Sequence, residues 1–288
     1  MLSIVVAGLS GVDSSILYLS CNQENSRRVF GIYNALQMAG LLAAAAVFSL
    51  FIRENFELAG FLTVISYGAA ALLSLGLTEA IPDRKDSSNL PHCFGSILKN
   101  TLSNKHLLMF LLACAFLSET HQTITVFLNQ LQYEKCGLNA TSIGGIYIFI
   151  TLAGMASILS DKLTKVLHIR MSTILLYGAS ILACIILAIT DKAIPSVAGI
   201  LMLRMSHSLF QPLQSEFQNR QVASAHRATE LSIQAMIFNS AALSTNLLFG
   251  ALAEISLSAS FLFGAGICAT GVLLILIWHR EYSKKEAV

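Results

Sequence analysis

Arg204, His207, Ser208, Gln211, Gln214, Ser215 and Gln218 recur at spacings of three and four, so a helix of 3.6 residues per turn gathers them on one face. The stripe offers a permanent cation, an imidazole, amides and hydroxyls, groups that can hydrogen-bond a polar solute or handle a proton. Glu119, Gln122 and Thr123 share one face of another segment, with His121 on a different face. Ser10, Asp13 and Ser14 form a third set, and Asn239, Ser240, Ser244 and Asn246 a fourth. The sequence contains no HExxH pair, no nucleophile motif and no phosphate-binding glycine loop. Cys21, Cys93, Cys114, Cys136, Cys184 and Cys268 lack CxxC spacing and read as small buried hydrophobes, so neither metal nor cofactor is expected.

The segments that carry these groups are strongly apolar. The 288 residues are 55% hydrophobic and 12% charged, with a mean hydropathy of +0.69, whereas soluble domains carry about 25% charge. The class is therefore an all-α polytopic membrane protein with the lipid bilayer as its surroundings, and nucleic acid is not an expected partner. Apolar runs at 1–20, 29–52, 58–80, 106–131, 142–160, 171–190, 193–217, 228–252 and 256–278 predict nine transmembrane helices. The first run has no basic n-region and contains Asp13, so it reads as a span and not as a signal peptide. The one long connection, 81–105, holds Pro82, Pro91 and a polar run around Asp83, which suggests a flexible cytoplasmic link between two helix bundles.

At about 1.5 Å per residue, Arg204, Glu119 and Asp13 lie about 15, 9 and 18 Å below the outer surface, where they could line one cavity. Each has a plainer alternative. Amides and hydroxyls often only bridge neighbouring helices, Arg204 and Glu119 could form a structural ion pair, and the histidines could simply pack. The glycines, Gly31 among them, allow helices to approach closely.

All but four of the 18 Lys and Arg residues fall on alternate connections or the tail, the exceptions being Arg53, Lys135, Lys192 and the intramembrane Arg204. The positive-inside rule then puts the C-terminus in the cytoplasm and Met1 outside. A shift of the chain by about 199 positions lays Tyr18 on Phe217, Arg28 on Arg227 and Ile32 on Leu231, each time helix, basic loop, helix.

Asn219, Arg227-Ala228-Thr229, Leu231-Ser232-Ile233 and Met236 resemble the connection between the tenth and eleventh helices of the major facilitator superfamily of secondary transporters. Ser10-Gly11-Val12-Asp13 followed by Ile16-Leu17-Tyr18 is similar to that family's fourth helix, with Leu19 where an Asp often stands. The resemblance implies that the chain corresponds to helices four to twelve of the fold: an incomplete three-helix bundle at 1–80, an inter-bundle loop at 81–105, a six-helix bundle at 106–279 and a tail at 280–288. It also implies that the first three helices are lacking, with a second chain as a possible source. Gly154, Asp161-Lys162, Lys165 and Arg170 look like a degenerate copy of the family's basic loop motif. With Arg227, Asp161 and Lys162 are thus the expected conformational residues, Asp161 docking near Val29 or Phe30 at a helix start.

The resemblance implies alternating-access transport of a small solute, in a bacterial cytoplasmic membrane. Candidate binding or coupling residues are Asp13, Glu119, Gln122, Arg204, His207, Gln211 and Asn239, with proton coupling through Glu119, Asp13 or a histidine. The alternatives are an intramembrane enzyme using Glu119 and His121 as acid and base, or a membrane fragment that does not transport.

Overall fold

The structure, a computed structural model, describes residues 12–22, 25–47, 56–76, 94–222 and 227–286, and these are helical apart from turns and caps. The helices are α1 (Val12–Leu19), α2 (Ser26–Val47), α3 (Phe56–Ser74), α4 (Phe94–Ser103) and α5 (Lys105–Gln122). A π-helical turn, Thr123–Leu128, carries α5 into α6 (Asn129–Lys135). Next come α7 (Ala140–Gly154), a 3-10 turn (Met155–Leu159), α8 (Ser160–Ile189), α9 (Ala193–Arg220), α10 (Arg227–Ile255) and α11 (Leu257–Glu286).

Among the described residues, seven helical stretches are long and apolar enough to cross a membrane. One of them, Ser142–Ile189, holds two passes, because His168 interrupts it with φ 58° and ψ 156°. With α1, described over eight residues, all nine expected spans are represented among the described residues. Helices are the natural answer to this sequence, since a hydrocarbon core has no water to satisfy backbone amides left unpaired. Side chains cap the helices at the breaks. Asn104 Oδ1 accepts from the Leu107 amide at 3.1 Å, Asn139 Oδ1 from Ser142 at 2.8 Å and Ser256 Oγ from Ala259 at 3.1 Å. Gly137, at φ 76°, turns the chain between α6 and α7. Pro195 sits in the first turn of α9, where its missing N–H leaves no bond unmade.

The six-helix part closes around α8, α9 and α11, with α5 against α11 and α7 against α9. One end is filled by Phe110, Phe217 and Trp278, ring centroids 4.8 Å apart for Phe110–Trp278 and 5.1 Å for Phe217–Trp278. Further along, Ile124, Leu187, Ile200, Phe249 and Phe261 form a second cluster. Against this bundle lies α2, packed on the 155–159 turn, α7, α8 and α9, while α1 packs on α9 and α10. The α2 contact is closest at Gly31, where a Cβ would stand 2.6 Å from the Ser157 carbonyl oxygen. Ser157 Oγ also donates to the Gly31 carbonyl at 2.9 Å. In contrast, none of the apolar window of α3 is buried.

Two expectations change. Residues 94–103, read as flexible link, form α4, which buries Ile97 and Thr101 and packs on α10 and α5. The pattern of Ile97, Leu98, Thr101 and Leu102 is an amphipathic helix stripe that the polar run before it obscured. Residues 161–167, read as loop, continue α8, and the turn is compressed to His168. Ser10, Arg53 and residues 77–93 lie outside the described residues.

Candidate functional site

Arg204 leaves α9 at the place where α2, α5, α7 and α9 converge. Its Nη1 lies 3.2 Å from His121 Nε2 and its Nη2 2.8 Å from Met38 Sδ. On the α7 side a Cβ at Gly154 would stand 2.6 Å from Nη2, so the guanidinium lies directly against Gly154. The His121 ring stacks on His207, centroids 4.1 Å apart and planes 2° from parallel. Ser118 Oγ is 3.2 Å from His207 Nε2, and Thr125 Oγ1 donates to the His121 carbonyl at 2.8 Å. Thr125 belongs to the π-helical turn, a local widening often found where a helix serves a site.

Glu119 does not join this layer. It is buried, and its Oε2 accepts from Asn246 Nδ2 of α10 at 3.4 Å, while Asn246 Oδ1 accepts from Thr123 at 2.5 Å. The alternative of a Glu119–Arg204 ion pair is not what the described residues show: the acid has an amide partner and the arginine an imidazole. Gln122 and Asn239 are exposed, and Gln211 is half-buried. Asn239 lines an open cavity of about 240 Å³ between α1, α9 and α10, together with Ser14, Gln214 and Gln218. Asp13, also exposed, accepts from the Tyr33 hydroxyl at 3.0 Å, tying α1 to α2. The seven candidates thus divide into a core of Arg204 and His207, a separate Glu119 contact, and positions around the rim.

A second polar assembly joins the ends of α2 and α9. Glu216, 2% exposed, receives Arg27 Nε on Oε2 at 2.6 Å and Arg220 Nη2 on Oε1 at 2.7 Å. Arg27 Nη1 reaches Thr164 Oγ1 at 2.5 Å. The carboxylate is compensated on both oxygens, as burial of a charge requires. Nearby, Arg227 from the first turn of α10 sits 4.6 Å above the Tyr18 ring. It donates to the Asn219 carbonyl at 2.6 Å and to that of Val222 at 3.4 Å. A cation there satisfies carbonyls that the end of α9 leaves without helical partners. The internal repeat therefore holds in topology but not residue by residue: Arg227 is buried, whereas its counterpart Arg28 is exposed and Arg27 makes the contact.

Asp161 follows directly on the turn that packs on α2, and its Oδ2 pairs with Lys165 at 2.6 Å. Lys162 is exposed. The interactions that bind this corner to α2 come from Ser157 and Thr164. Reading the sequence set His121 aside from Glu119 and passed over Met38, Arg27 and Glu216. The repeated Arg-Arg at 27–28 opposite a lone acid in a basic helix end was the available signal for Glu216.

No curated protein matches the chain. A sequence profile of the Major Facilitator Superfamily matches residues 1–225. That span takes in the helices carrying Arg204, His121 and Glu216, and with the bundle of apolar helices it gives one conclusion: the chain belongs to the major facilitator superfamily, and it is a membrane transport protein by family.

Proposed function

We propose that the chain carries out secondary transport of a small solute by alternating access, with the solute bound in the layer of Arg204, His207, His121 and Ser118. Gln211 and Asn239 line the path toward the end of α9, and Gln122 toward α6. Glu119 and Asp13 are the groups for proton coupling, and no cofactor is invoked. In this reading Asp161, Lys162 and Arg227 belong to the conformational machinery, the C-terminus is cytoplasmic and the membrane is a bacterial cytoplasmic one.

One observation carries the proposal: α2 touches the six-helix bundle in three successive tiers. Arg27 meets Glu216, Gly31 meets Ser157, and Met38 meets Arg204. From residue 27 to 38 this is about 17 Å of helix at about 1.5 Å per residue. An ionic tier at one end and a polar layer further along are what a rocking joint around a central site requires, because closing one end must be coupled to opening the other. In this reading three more helices complete the smaller bundle, supplied by a second chain or an extended one.

The test is flux of a panel of labelled small solutes in proteoliposomes, comparing the 288-residue chain with a chain extended by three N-terminal helices. Flux from the extended chain and none from the shorter one is expected. No flux from either would sink the transport reading, and robust flux from the shorter chain would sink the incomplete-bundle reading.

A further inference from the structure

Arg204 is a partly buried cation without a matching anion among the described residues. Among the described residues the ion pairs involve Arg27, Lys135, Lys165 and Arg220 and not Arg204. Two candidate acids outside this layer have partners of their own, Glu119 with Asn246 and Asp13 with Tyr33. The partners of Arg204 are a thioether sulfur and an imidazole nitrogen, both uncharged acceptors. An arginine cannot shed its proton to escape this, and a full charge at membrane depth costs at least about 2.5–3.5 kcal/mol when nothing balances it.

The hydrogen-bond inventory sharpens the point. A guanidinium only donates, so the contact to His121 Nε2 makes that nitrogen the acceptor and puts the ring proton on Nδ1. Nδ1 of His121, in a side chain from a residue 2% exposed, has no partner, and neither has Nε of Arg204. Two N–H donors beside an uncompensated cation thus await an acceptor, and both are buried. Leaving donors in that state is costly, so an acceptor-rich anion is the species this geometry lacks. One unpaired positive charge balances one negative charge. Met38 Sδ lies against Nη2 and the Gly154 backbone beside the guanidinium, neither of them a charged group.

We infer that the solute bound at Arg204 is an organic monoanion, its carboxylate or equivalent held by the guanidinium fork with its apolar part against Met38 and α7. The inference rests on the transport reading for the site and names the class of solute. It extends to His121 as a second donor for the anion, placing this residue in the binding site.

The full chain in detergent tests it with three probes of one shape: benzoate, benzamide and benzylammonium at equal concentration and constant ionic strength. The readout is the rate of maleimide alkylation of a Met38→Cys variant, followed on that peptide by mass spectrometry. At benzoate ten times its half-saturating concentration the rate falls about tenfold, and benzamide and benzylammonium leave it unchanged. Thermal unfolding gives the parallel result: benzoate raises the Tm of the unmodified chain and of Arg28→Gln, raises it less in Arg204→Lys, and has no effect on Arg204→Gln. Protection by benzamide or benzylammonium instead of benzoate would overturn the anion assignment while leaving a solute site and the transport reading intact. A benzoate effect that persists in Arg204→Gln, or no protection of the Met38→Cys thiol by any probe, would overturn it outright.

Discussion

Replacing Glu216 with Gln should loosen the joint between α2 and the six-helix bundle far more than replacing Arg220 with Gln. The two ion pairs of Glu216 are almost equal in length, 2.6 Å to Arg27 and 2.7 Å to Arg220, so distance does not separate them. Burial does: the Arg27 side chain is 11% exposed and that of Arg220 36%. Arg220 also stands four residues along the same helix, and such pairs contribute about 0.3–0.5 kcal/mol. Removing the acid strands Arg27 at a buried joint with only Thr164 as partner. Losing one side of a buried pair costs about 3–5 kcal/mol, and the amide of Gln restores part of it, leaving about 2–3 kcal/mol. At 1.4 kcal/mol per factor of ten, the open population rises about 30- to 150-fold in Glu216→Gln and about twofold in Arg220→Gln. Tryptic cleavage after Arg28, exposed at the start of α2, reads that population when opening and closing are fast relative to cutting. Cleavage rates for the two variants within threefold of each other would refute the argument that burial decides.

Gly31→Ala should destabilise the full chain by about 1–3 kcal/mol through overpacking, because its Cβ would meet the Ser157 carbonyl at 2.6 Å, whereas Gly40→Ala, with nothing within 4 Å, should change the unfolding midpoint little. Arg227→Ala should raise susceptibility of the 220–227 connection to proteolysis, and Tyr18→Phe should not, because Phe keeps the aromatic face under the guanidinium; equal effects would show that the hydroxyl matters more than the ring. Cysteines placed at Lys135 and Lys192 should label from outside intact cells while one at Lys162 should not, and external labelling at 162 would reverse the orientation read from the basic residues.

Hydropathy located the spans seen among the described residues because spanning helices are dictated by one solvent with one demand, internal satisfaction of the backbone. What it left open was which faces meet. Spacing put Glu119 and His121 on different faces of α5, and it was right to, but it could not say that Arg204 meets the His121 face and Asn246 the Glu119 face. That depends on how α9 and α10 are rotated against α5, which no single helix encodes. Arg227 entered through the resemblance around Asn219 and Arg227-Ala228-Thr229, and its fold-back onto the Asn219 and Val222 carbonyls came only with the structure. Glu216 was not legible, since its partner Arg27 is 189 residues away and the repeat pointed to Arg28 instead. The π-helical turn at Thr123–Leu128 was equally hidden, for nothing in the sequence there breaks a helix.

The serine and threonine hydroxyls of α3 are turned inward on their own helix, while the Tyr67 ring is exposed. Thr63 Oγ1 donates to the Ala59 carbonyl at 2.8 Å, Ser66 Oγ to Leu62 at 2.9 Å and Ser74 Oγ to Ala71 at 2.7 Å. A helix that settles its serine and threonine donors in this way leaves little but apolar surface for the acyl chains to meet. During biogenesis α3 can leave the translocon and reside in lipid as a finished span, with assembly against other helices following as a separate step driven by packing alone. The order of events is then insertion first and docking second, and any partner for α3 would recognise a smooth apolar cylinder instead of rescuing stranded polar groups.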